Sequence, residues 1–153
     1  MSQSVKGVIS DSDRALFRNK LPIQVRFSDV DIMGHVSNTV YQTYYDAGKM
    51  SYFDAVLPQL DFRTVGIVGA SVCIEYLLPI YMKSRILVET RVSVIGTKSL
   101  TFEHLLVNEH SGEILSTCKA VLVCFSITEQ KSIPVPEAWR KSILAYDSGV
   151  IEK

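Results

Sequence analysis

One long helical pattern, aromatic along one face and placed ahead of four long strand-like runs, restricts this chain more than any other feature of its sequence. Between about Thr39 and Val56, residues Tyr41, Tyr44, Tyr45, Gly48, Tyr52 and Val56 recur at spacings of three and four, with Phe53 beside them. That is the period of a helix with one apolar face. Ser37 or Asn38 suits the N-cap, and Pro58 marks the stop. The stripe is wide enough to predict a helix largely surrounded by other structure. Gly48 stands in mid-stripe, where glycine costs about 1 kcal/mol relative to alanine. Close approach of the helix to a neighbouring sheet would offset that cost.

The rest of the chain reads mostly as β-structure. Ile23, Val25 and Phe27 alternate with Gln24 and Arg26, which predicts a strand, and Ser28–Ser37 reads as a loop. After Asp61–Gly66 come Ile67–Leu77, Arg85–Ile95, Ser99–Val107 and Ile114–Phe125, all rich in β-branched residues. Pro79 with Lys83-Ser84, Gly96–Lys98 and Asn108–Gly112 separate them, and the last two connections are short enough for hairpins. The last three strands are therefore expected to form an antiparallel meander. Pro134 and Pro136 open a short helix near Glu137–Leu144. Residues 1–20 read as a loosely ordered lead with one short helix around Asp11–Phe17, and 134–153 as a C-terminal helix and tail. No repeat, low-complexity tract or linker interrupts the chain, so 1–153 is read as one α+β domain. One amphipathic helix cannot cover both faces of a five-stranded sheet. A helix lying across one face of a strongly curved sheet is the simple solution, with the other face or the sheet edge left to a partner subunit.

Composition excludes several classes. The 153 residues hold 16 Lys plus Arg and 16 Asp plus Glu, a balance that gives no electrostatic case for nucleic acid or an anionic membrane as partner. The first twenty residues carry no apolar signal region, and no apolar run approaches the roughly 20 residues that span a bilayer. Cys73, Cys118 and Cys124 lie in apolar alternating segments without a CxxC pair. They read as reduced core cysteines, which sets a cytoplasmic location as the expectation. There is no GxSxG elbow, GxGxxG or P-loop, and no cysteine sits at a helix start that would favour its thiolate.

The stretch from Val25 to Tyr45, VRFSDVDIMGHVSNTVYQTYY, carries the chemistry. It sets two carboxylates, Asp29 and Asp31, in a loop that runs directly into a helix N-terminus. Helix N-termini present free backbone N–H groups and partial positive charge, which suits a carbonyl oxygen that turns negative during acyl transfer. A carboxylate beside the same carbonyl can attack it or activate a water. Each residue also has a plainer reading: Asp29 and Asp31 as turn residues, His35 as a packed loop histidine, Asn38 as an N-cap. Asp29-x-Asp31-x-x-Gly34 superficially matches the start of a calcium loop. Met33 and Val40, however, stand where oxygen ligands belong. His104 and His110 lack ligand spacing, so neither metal nor cofactor is expected.

The run R-F-S-D-x-D-x-x-G-H-V-S-N-x-x-Y from Arg26 to Tyr41 resembles the 4-hydroxybenzoyl-CoA thioesterase family of hotdog proteins, especially its YbgC/FadM-like bacterial acyl-CoA thioesterases. I-E-Y-L-x-P from Ile74, G-x-K-S-L-x-F from Gly96 and A-V-L-V-C-F from Ala120 extend the resemblance over about residues 21–127. Asp46-Ala47-Gly48-Lys49 departs from the family's Glu-Ala-Arg triplet, and Ser37 and Ser126 replace an asparagine and an acidic residue. The resemblance implies a hotdog fold, a curved antiparallel β-sheet wrapped around a long central α-helix. It also implies homodimers or homotetramers with active sites at the subunit interface. The implied reaction is hydrolysis of a fatty or aromatic acyl-CoA to the free acid and CoA. Asp31 would be its catalytic nucleophile or general base, and the Asn38 backbone N–H would polarise the thioester carbonyl. Gly34 would let the chain pass close to the substrate, and His35, Val36 and Tyr41 would shape the pocket. Tyr44, Tyr45 and Tyr52 would line or neighbour it, although helical aromatic stripes are usually core. Lys83, Arg85 and Lys98, at strand-connecting turns, are candidates for the CoA phosphates, with solvated surface charge as the plainer reading. Two rivals stand beside the thioesterase: a hotdog enoyl-CoA hydratase or dehydratase using His35 with Asp31, and a non-catalytic acyl-thioester-binding module.

Overall fold

The computed structural model of the chain describes residues 9–57 and 60–153. β-Branched runs broken by short polar turns make the central meander: β3 (Ile86–Ile95), β4 (Ser99–Asn108) and β5 (Ile114–Ser126) are consecutive and antiparallel. β2 (Val65–Tyr76) pairs antiparallel with β5 along its length, and β1 (Asn19–Ile23) with the first half of β3. The sheet therefore runs β1-β3-β4-β5-β2. Two-residue strands extend it: β6 (Lys131–Ser132) adds to β5, and β7 (Ile151–Glu152) adds to β3 in parallel. Register shifts at Gly69/Ser71, Val92/Val94 and Leu106/Val107 mark irregularities of the kind that bend strands. Helix α1 (Asp11–Arg14) precedes β1, and α3 (Glu137–Tyr146) lies between β6 and β7.

The long helix α2 (Tyr41–Val56) crosses the inner face over β1, β3 and β4. Tyr41, Tyr45, Tyr52, Phe53 and Val56 enter one core with Val88, Val92, Phe102 and Leu106 of the sheet. The close approach expected at Gly48 is present: a Cβ there would stand 2.6 Å from Val88 Cγ2 and 2.9 Å from Thr90 Oγ1. The α+β hotdog arrangement is thus the observed one. The helix is covered on one side only, because Thr43, Asp46, Met50 and Asp54 are exposed. The inner face of β5 (Cys118, Ala120, Leu122 and Cys124) is buried in the same core, whereas Val72 and Tyr76 of β2 stay exposed.

Several local expectations change. The first strand is Asn19–Ile23, not Ile23–Phe27. It pairs with β3 from Thr90 back to Ile86, where β3 begins, so the chain runs out of partner at Ile23. Phe27–Asp29 forms a single 3-10 turn instead. The part of the lead that is described is ordered into α1 and the start of β1. Neither Ser37 nor Asn38 caps with its side chain: Asn38–Val40 is a 3-10 turn leading into α2, and Ser37 Oγ meets Thr39 Oγ1 at 3.0 Å. Pro58 lies outside the described residues; α2 closes with Leu57 N–H on Phe53 C=O at 2.7 Å. All three cysteines are free, but only Cys118 and Cys124 are buried, and Cys73 is exposed on the edge strand.

The two edges of the sheet differ. β3 is covered by β1 along its first half and by β7 at Val94 and Ile95, and the Val92 N–H between them is taken by Asp147 Oδ2 at 2.9 Å. β2, twelve residues long, has no neighbour on its outer side among the described residues, and its Val68, Val72 and Tyr76 are exposed. No helix among the described residues is long and apolar enough to cross a membrane.

Candidate functional site

The two aspartates of the loop have opposite environments. Asp29 is 2% exposed. Its Oδ2 accepts the Arg26 backbone N–H at 2.9 Å and the Tyr44 hydroxyl at 2.7 Å, and its Oδ1 accepts Arg26 Nη2 at 3.1 Å. Burial pushes its carboxyl pKa up. The Arg26 backbone N–H, the Tyr44 hydroxyl and the Arg26 charge outweigh burial and hold it below the usual carboxylate range. Burial first, then the bond to Asp29, push the Tyr44 phenol up.

Asp31, two residues on, points into solvent. The loop that carries it is a small hairpin. Val30 bridges Val36, Asp31 N–H donates to His35 C=O at 2.9 Å, and Gly34 N–H returns to Asp31 C=O at 3.0 Å. Gly34 closes the turn at φ +79°, a left-handed conformation that favours glycine. Asp31 Oδ1 accepts the Met33 N–H at 2.9 Å, an Asx turn that fixes the carboxylate's base. The hairpin is seated by Val36 N–H on Ile80 C=O at 2.8 Å and by a bridge between His35 and Tyr81, whose rings lie 5.2 Å apart. Ile32 and Met33 in its tip, Phe27 ahead of it, and Tyr81 and Met82 in the segment that seats it are exposed apolar side chains.

Beyond the hairpin, Ser37 N–H donates to Asp29 C=O at 2.9 Å, and the next turn begins. Its first internal bond is Val40 N–H to Ser37 C=O. The Asn38 and Thr39 N–H groups ahead of it have no protein acceptor among the described residues. The hairpin that carries Asp31 thus runs straight into a helix start with two unused donors.

The other sequence-predicted residues divide. Gly34, His35 and Val36 belong to the hairpin. Tyr41 is buried, its ring 4.8 Å from Tyr76, whose hydroxyl reaches Asn38 C=O at 3.3 Å. Tyr45 is also buried, with its hydroxyl on Ser116 Oγ at 2.6 Å, and Tyr52 donates to Asp147 Oδ2 at 2.6 Å. Within one chain these tyrosines are core, and the Tyr45 and Tyr52 hydroxyls are satisfied. Lys83 and Arg85 stand just before β3, near Tyr81, and Arg85 pairs with Glu109 at 3.3 Å. Lys98 sits at the β3–β4 turn beside Ser132. It is separated from Arg85 by the length of β3, about 30 Å at the rise of a strand. Sequence reasoning missed Arg26 and Tyr44 as anchors of the loop; Tyr44 was visible only as one more member of the aromatic stripe.

Among the described residues no three His, Cys, Asp or Glu side chains converge as metal ligands. A cavity of about 500 Å³ opens on the convex face between α1 and the sheet, with Phe17, Arg91, Glu103 and Lys119 among its walls. None of the hairpin residues lines it.

Comparison with known proteins agrees with this fold. YsmA of Bacillus subtilis (strain 168), an uncharacterized protein, is 27% identical over 129 residues, covering 84% of this chain and 85% of its own. Among solved structures, the PA5185 protein of Pseudomonas aeruginosa superposes with a TM-score of 0.80 at 26% identity, covering 90% of this chain and 96% of its own. A thioesterase from Thermus thermophilus, solved with coenzyme A and zinc, is 32% identical with a TM-score of 0.73, covering 83% of this chain and 92% of its own. Residues 25–143 match the Thioesterase-like superfamily, a span that takes in the hairpin, α2 and the whole meander, and the chain belongs to that superfamily.

Proposed function

We propose that the chain is an acyl-CoA thioesterase in which Asp31 is the reacting carboxylate and the start of the long helix holds the thioester oxygen. The observation that carries this reading is the pairing of an exposed, hairpin-mounted Asp31 with the unused N–H groups of Asn38 and Thr39. Membership of the Thioesterase-like superfamily, and a relative solved with coenzyme A, support it. The acyl carbonyl sits with its oxygen toward Asn38 N–H. Asp31 then takes a proton from a water that attacks the carbonyl carbon, or attacks that carbon itself to give a mixed anhydride that water opens. The C–S bond breaks in either route, the sulfur of CoA leaves as thiolate and takes up a proton, and the free acid departs. The acyl group is fatty or aromatic, and Gly34, His35, Val36, Tyr41 and Tyr45 border it. Lys83 and Arg85, at the hairpin's end of the sheet, receive the CoA phosphates. Lys98, at the far end, reaches a site only from another copy.

A second copy completes the site. The unpaired edge of β2 and its exposed Val68, Val72 and Tyr76 support a homo-oligomer, dimer or tetramer, acting in the cytoplasm without nucleic acid or membrane as partner. The test is thiol release from short, long and aromatic acyl-CoAs by wild type and Asp31→Asn. The expected result is hydrolysis by the wild type that falls at least about a hundredfold in the variant with the fold intact. Turnover of an enoyl-CoA without thiol release would instead favour a hydratase, and binding without turnover a non-catalytic module. An unimpaired Asp31→Asn would remove Asp31 from the mechanism.

A further inference from the structure

We propose that Asp29 and Tyr44 are positioning residues that set the distance between the Asp31 carboxylate and the N–H groups at the helix start. The inference rests on the reading of Asp31 as the reacting group. The starting observation is an expense that the turn itself does not require. Asp31 makes its Asx turn while exposed, so a loop of this shape needs no buried carboxylate. Asp29 is nevertheless buried, a placement that is unfavourable unless donors surround the charge.

The carboxylate takes its donors from Arg26 and Tyr44, and the backbone carbonyl of the same residue holds a third segment. Arg26, ahead of the hairpin, supplies a backbone N–H and its guanidinium. Tyr44, in the first turn of α2, supplies its hydroxyl at 2.7 Å. Ser37, at the far side of the hairpin's neck, donates its N–H to the Asp29 carbonyl at 2.9 Å. One residue therefore holds the strand entering the hairpin, the strand leaving it and the helix. Asp31 lies two residues after Asp29, and Asn38 lies one residue after Ser37. The two partners of the proposed reaction each lie within two residues of a bond to Asp29: Asp31 follows it in the chain, and Asn38 follows Ser37, which is held by the Asp29 backbone carbonyl. Reacting groups must meet within about 3–3.5 Å, and a misplacement of about 1 Å can cost a hundredfold in rate. Tyr44 is the only side chain of α2 that bonds Asp29. Without it, Arg26 still neutralises the charge, but the hairpin loses its side-chain tie to the helix.

Tyr44→Phe tests this directly, because it removes one hydroxyl and leaves the buried ring in place. Thiol release and hydrogen exchange of the 30–37 segment are measured together on wild type and variant. The expected result is a fall in kcat of about tenfold or more with KM within about twofold, the signature of a lost transition-state contact, together with faster exchange confined to 30–37. A lower melting temperature with kcat and exchange unchanged would overturn the proposal and leave Tyr44 as a core tyrosine. If wild type releases no thiol from any acyl-CoA, the thioesterase reading falls by itself. Exchange then still decides whether Tyr44 fastens the hairpin, and unchanged exchange overturns the clamp. Should Tyr44→Phe not fold, Asp29→Asn, which keeps the side chain's shape and removes its charge, is read in the same way.

Discussion

Gly48→Ala gives the most direct test of how the helix sits on its sheet. On propensity alone the change should help, since alanine in a helix interior is favoured over glycine by about 1 kcal/mol. The structure opposes it. The new Cβ would stand 2.6 and 3.0 Å from the two γ-carbons of Val88 and 2.9 Å from Thr90 Oγ1. Neither neighbour is the loose end of a flexible side chain: both are fully buried, and Thr90 Oγ1 shares a 2.9 Å hydrogen bond with His104 Nδ1. Overpacking a filled core typically costs about 1–3 kcal/mol, and straining the Thr90–His104 bond adds up to about 1 kcal/mol. The helix gain is exceeded, and the expected balance is a loss of about 1–2 kcal/mol, with each kcal/mol lowering the melting temperature by about 2–4 °C in a chain of this size. Thermal unfolding at one fixed protein concentration measures it, so that any assembly contributes equally to both proteins. Repeating the substitution in a Val88→Ala background isolates the contact. With both γ-carbons gone, alanine at 48 should cost less, giving a coupling of about 1 kcal/mol between the two sites. A Gly48→Ala protein that melts higher than wild type would refute the close approach.

His104 gives a pH dependence with a defined sign. Burial, with the Lys49 charge adding to it, pushes its imidazole down to about 3 from an ordinary 6.5. Between those values the unfolded chain binds a proton that the folded chain does not, so this group's contribution is full above pH 6.5 and is lost as pH falls. The slope is about 1.4 kcal/mol per pH unit. Denaturant unfolding from about pH 7 to about pH 4 should show that limb in wild type and a shallower one in His104→Gln; equal slopes would place a proton on the folded imidazole. Tyr52→Phe removes the hydroxyl that Asp147 Oδ2 holds at 2.6 Å, in a carboxyl whose Oδ1 already has no partner. A loss of about 1–3 kcal/mol is expected from urea unfolding, and a neutral result would mean water reaches Asp147. Sedimentation should find the wild type as a dimer or larger, and Val68→Lys with Val72→Lys, two exposed side chains of the open edge strand, should shift it toward monomer. A monomeric wild type at micromolar concentration would remove the proposed assembly.

What the sequence disclosed follows from how far each signal reaches. The helix and the meander were legible because period and length agree over ten or more residues, and short turn-forming segments separate the strands. β1 was not, because its own residues, Asn-Lys-Leu-Pro-Ile, carry little strand pattern while the apolar alternation continues past it to Phe27. That alternation ends in a side chain 88% exposed. Strand ends are set by where the partner stops, and Ile86 is invisible from Ile23. The two aspartates posed the same difficulty more sharply. Asp29 and Asp31 share a loop, a charge and a spacing, and what separates them is Tyr44, fifteen residues away from Asp29 on the helix. The aromatic stripe announced a buried face but not that its hydroxyls reach Asp29, Ser116 and Asp147, the last of them ninety-five residues from Tyr52. Lys83, Arg85 and Lys98 looked alike as turn cations, and only the direction of β3 assigns them to opposite ends of the sheet.

The unequal edges bear on why the proposed nucleophile or base is left in water within one chain. An exposed carboxylate is stabilised by solvent, and a thioester beside it would meet water from every direction; acyl transfer gains from a site that is covered. The chain covers β3 with β1, β7 and the Asp147 carboxylate, so an open edge is not a general property of this sheet. It leaves open β2 and the exposed apolar side chains Phe27, Ile32, Met33, Tyr81 and Met82 of the hairpin and its neighbouring segments. Side chains of that kind are unfavourable in solvent, and they lie along the boundary that a second copy and an acyl group would cover. On the proposed assembly, pairing along β2 and binding of substrate would shut bulk solvent away from Asp31 and leave the one water that reacts, and hydrolysis should then depend on protein concentration in the range where the dimer dissociates. Specific activity that stays constant through dissociation would separate the site from the interface and return the whole reaction to a single chain.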